Sequence, residues 1–185
     1  MRRPAAVAIL ALMMTSGLVW RTSEASFSRV TANGANSWAT GQVSITDDDG
    51  GSIMFTVTGL KPGFTDSRCI RVSYGGSVGP GPVRIYATAP TGTLGTDLLM
   101  TVEVGTVGSF AGGCGAFSAT STVFTDVPLS TIGTKTTYAA GYPTGWSPTG
   151  AESRVFRFTY TLSKATPDDQ QGASCAIPFT WETQT

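Results

Sequence analysis

From residue 26 onward the apolar positions of the chain alternate with a period of two. Ile53, Phe55 and Val57 alternate with Met54 and Thr56, and Val83 and Ile85 with Arg84 and Tyr86. Leu98, Met100, Val102 and Val104 alternate with Leu99, Thr101 and Glu103, and Phe156, Phe158, Tyr160 and Leu162 with Arg157, Thr159 and Thr161. A closing run places Cys175, Ile177, Phe179 and Trp181 on one face. Successive side chains of a strand point to opposite faces, so each run predicts a strand with one dry and one wet side. An apolar period of 3.6 is almost absent.

Turn signals separate the runs: Asp49-Gly50-Gly51, Lys61-Pro62-Gly63, Gly79-Pro80-Gly81-Pro82, Pro90-Thr91-Gly92 and Ser147-Pro148-Thr149-Gly150. Glycine supplies positive φ and proline presets a turn φ, so these segments reverse the chain. Short strands with frequent turns and no helical alternation predict an all-β fold, an antiparallel two-sheet sandwich, and exclude a parallel βαβ design. The glycine-rich stretch 129–149 has weak periodicity and reads as a long surface excursion with one short strand.

The first 25 residues follow a different pattern. Arg2 and Arg3 precede an apolar run from Ala5 to Met14, and Ser23-Glu24-Ala25 places small residues at the minus-three and minus-one positions of a cleavage site. That layout predicts a signal peptide over 1–25 and a single β domain over 26–185, with the signal segment as the chain's membrane contact. An uncleaved anchor is the alternative. The chain is 185 residues long, which suits one domain with its own core. Export predicts a secreted or cell-surface protein and makes a disulfide chemically reasonable.

Three cysteines allow one disulfide and one spare thiol. Cys175 shares a face with Ile177, Phe179 and Trp181 and is expected to be a buried free thiol. Cys69 alternates with Arg71 and Ser73, opposite to Ile70, Val72 and Tyr74, while Cys114 lies in a Gly-Gly-Cys-Gly loop able to reach over it. The expected pair is therefore Cys69–Cys114.

Composition narrows the chemistry. Twelve basic and 12 acidic residues give zero formal charge, with no basic cluster to engage a phosphate backbone, so no nucleic-acid partner is expected. The chain contains no histidine, which excludes Ser-His-Asp and Cys-His nucleophiles and His-ligated zinc. Neither an enzyme nor a cofactor is expected. The acids suggest no convergent pair: Glu103 and Glu182 alternate outward, and Asp66 and Asp126 fall in or near turns. Asp47, Asp48 and Asp49 form the one acidic cluster. It is a weak Ca²⁺ candidate, better read as a hairpin tip because the alternating ligand spacing is missing. Tyr142 and Trp146 are candidate binding-surface aromatics for a glycan or another cell-envelope protein, with capping of the sandwich end as the plainer reading.

Several segments, in order, resemble the TasA and camelysin family of secreted bacterial matrix and surface-fibre proteins. They are Ala25-Ser26-Phe27, the stretch Trp38-Ala39-Thr40-Gly41-Gln42-Val43-Ser44-Ile45, then Gly59-Leu60-Lys61-Pro62-Gly63, Cys69 through Ser77, and Phe179-Thr180-Trp181-Glu182. The resemblance implies a jelly-roll sandwich and a fibre subunit that self-associates by strand exchange. The donor would lie within Ser26 to Ala35, where Phe27 and Val30 would enter a neighbour's groove. Phe64 stands where that family tends to have Asp, and camelysin's metallopeptidase activity is not carried over to a chain without histidine. A monomeric surface module that binds a glycan or envelope protein is the alternative function.

Overall fold

The computed structural model describes residues 28–31, 44–50, 52, 60–76 and 79–185, with 28–31 as backbone. The signal segment, Phe27 and the expected strand around Ile53, Phe55 and Val57 lie outside these. Eleven strands are present among the described residues: β1 (Ser28–Thr31), β2 (Ile45–Asp47), β3 (Thr65–Tyr74), β4 (Arg84–Ala87), β5 (Thr91–Gly92), β6 (Leu98–Thr106), β7 (Ser118–Pro128), β8 (Tyr142–Pro143), β9 (Glu152–Leu162), β10 (Cys175–Ala176) and β11 (Phe179–Gln184). A single helical turn, α1 (Leu129–Ile132), follows β7.

The strands form a four-stranded sheet, β1-β11-β4-β8, a five-stranded sheet, β2-β3-β9-β6-β7, and a small β5–β10 ribbon. Every pairing is antiparallel. Setting aside β2, which extends the five-stranded sheet beyond β3, and the ribbon, eight strands remain among the described residues. In chain order, the first, eighth, third and sixth make one sheet, and the second, seventh, fourth and fifth make the other. That is a jelly roll, an all-β sandwich made of two interlocked Greek keys.

The alternating positions do what their period dictates. Leu98, Met100, Val102 and Val104 from β6, and Phe156, Phe158, Tyr160 and Leu162 from β9, are buried between the sheets with Ile70, Val72 and Tyr74 of β3. Across the gap stand Val83, Ile85 and Trp181. The aromatic rings join the layers: Phe156 meets Trp181 edge-on at 5.5 Å, while Phe158 lies 6.0 Å from Trp181 and 4.9 Å from Phe179. Offset and edge-to-face rings add about 0.5–1.5 kcal/mol per pair beyond the area they bury.

The predicted closing strand is divided in two. Pro178 has no N–H to give a ladder, and the chain changes partner there: Cys175–Ala176 pair with β5, whereas Phe179 onward pairs with β4. All four alternating residues still pack on the core, but Cys175 is half-buried at the ribbon, not fully enclosed.

The stretch 129–149 is likewise not a surface excursion. It holds the one short strand expected, β8, but Leu129, Ile132, Thr144 and Trp146 are buried. Val83 N–H donates to the Trp146 carbonyl at 2.7 Å, and Thr144 Oγ1 donates to the Val83 carbonyl at 2.7 Å. Glycines and prolines let this segment wind across the open end of the sandwich while its few large side chains fill that end.

Asp66 and Asp126 lie within β3 and β7, each close to a turn-facing end of its strand. Asp126 adopts a positive φ of 49° at a break in the β6–β7 register, and its N–H donates to Thr101 Oγ1 at 2.9 Å. Such a bulge twists an edge strand, and edge strands so bent pair poorly with other chains.

Replacing Phe158 by Ala is expected to lower unfolding free energy by about 3–5 kcal/mol, the usual cost of emptying a fully packed aromatic site. Thr159→Ala, on the opposite face, should cost under about 1 kcal/mol. Guanidinium titration followed by tryptophan fluorescence measures both.

Candidate functional site

Two places on the body combine residues singled out in the sequence. One is the outer face of the five-stranded sheet, where the loop 107–117 folds back from the end of β6. Cys69 and Cys114 are disulfide-bonded, with Cα atoms 5.4 Å apart. Cys69 belongs to the outward face of β3 yet is only 1% exposed, because the loop lies over it. Gly108 makes this close approach possible: a Cβ there would stand 3.2 Å from Val155 Cγ1 and 3.5 Å from Cys69 Cβ.

Asp48 ties the same loop down. β2 ends at Asp47, opposite Val72. Beyond it, the Asp48 side chain takes over from the backbone: Oδ1 accepts the Arg71 N–H at 2.8 Å, and Oδ2 accepts the Phe110 N–H at 3.0 Å. Arg71 Nη2 then donates to the Gly108 carbonyl at 2.8 Å. Arg157 stacks on the Phe117 ring at 4.5 Å while its Nε donates to Glu103 at 2.8 Å. Glu103 thus points outward as expected, but is held in an ion pair.

This assignment recasts the acidic cluster. Asp48 spends both oxygens on backbone donors, and among the described residues no three His, Cys, Asp or Glu side chains converge to hold a metal ion. The Asp48 side chain therefore acts as a clamp just beyond the end of β2. Asp47 is hydrogen-bonded to Asp49, and burial, that bond and the neighbouring Asp49 and Asp48 charges push its carboxyl up to about 6.

The second place is the outer edge of the four-stranded sheet. β1 lies antiparallel to β11, with Ser28 opposite Gln184, Val30 opposite Glu182 and Thr31 opposite Trp181. The Val30 half of the donor-strand candidate thus pairs within its own chain, along one neighbour among the described residues.

Glu182 departs from expectation. Alternation does place it on the face opposite Trp181, but it is only 4% exposed. Its Oε2 accepts the Tyr86 hydroxyl at 2.7 Å, and Oε1 accepts Gln184 Nε2 at 2.9 Å. Burial, with this carboxylate as acceptor, raises the Tyr86 phenol far above its ordinary value. Nothing in the local pattern signals this pair, because the partners are 96 positions apart.

The aromatic platform is not formed. Trp146 is 3% exposed, packed 6.4 Å from Phe156 and under the Arg154 guanidinium. Tyr142 is half-buried, its ring 4.6 Å from Phe124. Both residues cap the sandwich end, so the glycan or envelope-protein module loses its named surface. Among the described residues, no helix is long and apolar enough to cross a membrane. Compared with known proteins, the sequence matches no family model and no curated protein. The fold and site define a disulfide-pinned jelly-roll domain of the kind that suits an oxidising compartment.

Removing the Asp48 clamp by Asp48→Ala frees two exposed backbone donors that water can reach, at a cost of about 0.5–1.5 kcal/mol. Hydrogen exchange should report faster exchange at Phe110 and Arg71 with little change in β9.

The raised Asp47 carboxyl gives a sign for pH. A carboxyl whose folded value lies above its unfolded value favours the protonated fold, so its destabilising effect is absent below about pH 4 and complete above about pH 6. Asp47→Asn should therefore raise the thermal midpoint at pH 7.5 and leave it unchanged near pH 3.5, read by calorimetry across that range.

Proposed function

We propose that this chain is a secreted, non-enzymatic structural subunit of an extracellular matrix or surface fibre, assembled by strand exchange between subunits. One observation carries the reading: among the described residues, β1 is a four-residue edge strand bonded to a single neighbour, β11. An antiparallel strand from a second copy can take over the same register, Ser28 to Gln184 through Thr31 to Trp181, with every ladder bond preserved. Exchange of this kind adds no new interface chemistry; it relocates a pairing the sequence already encodes.

Other features agree with that reading. The long edge strand on the other sheet, β7, is interrupted by register shifts, which discourages sheet growth there. The disulfide accords with export, and the signal-peptide layout at the N-terminus supplies the route. The order of segments resembling TasA and camelysin supports the same class.

Purified mature protein beginning at Ser26 should form filaments visible by negative-stain electron microscopy, and deletion of 26–35 should abolish them while leaving the far-ultraviolet β signal. A chain that stays monomeric at high concentration with its N-terminus intact defeats the proposal.

A further inference from the structure

The roof over Cys69 gives the disulfide a direction, independently of any fibre. We propose that Cys69–Cys114 is a thiol-exchange site: a low-molecular-weight thiolate enters at Cys114, Cys69 leaves, and the loop 107–117 lifts from the sheet.

Thiol–disulfide exchange is in line, so the entering sulfur approaches opposite to the leaving one, and access decides which sulfur is attacked. For attack on Cys69 that approach comes from the side of β3, through a residue 1% exposed and beneath Gly108. For attack on Cys114 it comes from the loop side. Cys114 is only half-buried, and a Cβ on either flanking glycine, Gly113 or Gly115, would meet nothing within 4 Å. The departing Cys69 lies cross-strand from Arg157 and two residues from Arg71 on the same face, and cationic neighbours favour a thiolate leaving group. Arg157 divides its charge with Glu103, so access sets the direction and charge reinforces it.

The loop is set to move once the bond opens. Val107, a β-branched residue, sits at φ 59° with 56% of its surface exposed. Left-handed backbone at such a residue is strained, and the burial of so exposed a side chain offsets little of it. Gly108, at φ 130°, and Gly113, at φ 69°, provide the pivots. What then remains is the Asp48 and Arg71 hydrogen bonds and the stacking of Arg157 on Phe117.

The step balances without an oxidant. The incoming thiolate sulfur bonds to Cys114 Sγ, the Cys69–Cys114 bond breaks, and its electron pair departs on Cys69, which takes a proton from water. One disulfide replaces another. The product is a mixed disulfide at Cys114 and a free Cys69.

The test uses the folded mature chain with millimolar glutathione at mildly alkaline pH, acid quenching, alkylation and peptide mass spectrometry. Glutathione should be found on Cys114 at least about tenfold more often than on Cys69. Chymotryptic cleavage after Phe110 and Phe117 should rise about tenfold in the adduct while the tryptophan emission of the core is unchanged. Equal labelling of the two cysteines, preference for Cys69, or no adduct until denaturant is added would each overturn the proposal, as would an adduct whose loop resists protease as before.

Discussion

The aromatic seam between the sheets is the constraint on which the other features rest. Phe156 and Phe158 on β9 project into the gap and meet Trp181 and Phe179 on β11, so the central strand of one sheet is keyed to an inner strand of the other. Each fully buried aromatic contributes about 1.5–3 kcal/mol by removal from water alone. Because β9 carries β3 and β6 on either side, and β11 carries β1 and β4, fixing this seam fixes the positions of both sheet edges and of the outer face. The loop clamp and the β1 edge are peripheral devices on a rigid body.

Those devices differ in kind. The outer-face clamp is made from directional interactions that each need one particular atom: two oxygens of Asp48, a guanidinium on a carbonyl, a disulfide. The β1 edge rests on backbone ladder bonds, which any antiparallel strand of suitable length can supply. The clamp thus specifies one local arrangement within the chain. The edge tolerates a change of partner.

Legibility in the sequence followed the range of the interaction. The period-two runs at 98–104 and 156–162 placed every inward side chain, because a strand's alternation is local and the core selects one face. The Cys69–Cys114 pair was readable for the same reason, since the phase of β3 put Cys69 outside and a glycine loop had to cover it. The stretch 129–149 around Trp146 was misread as a surface excursion because sparse periodicity among glycines resembles a loop, while the burial of Trp146 comes from Val83 and Phe156, remote in sequence. The long-range contacts of Asp48 and Glu182 were not legible because Asp48's partners are 23 and 62 positions away and Glu182's hydroxyl partner is 96, distances at which an acidic residue looks like any solvated one. Pro178 carried a signal that alternation overrode: a missing N–H inside an apparent strand marks a change of partner.

Strand exchange at the β1 edge is the central functional claim, and solid-state NMR of filaments grown from an equal mixture of ¹³C-labelled and ¹⁵N-labelled subunits addresses it most directly. The account predicts cross-peaks between differently labelled chains linking 28–31 with 179–184, in the register Ser28–Gln184 and Thr31–Trp181. Filaments in which those contacts arise only within a single labelled chain would contradict it.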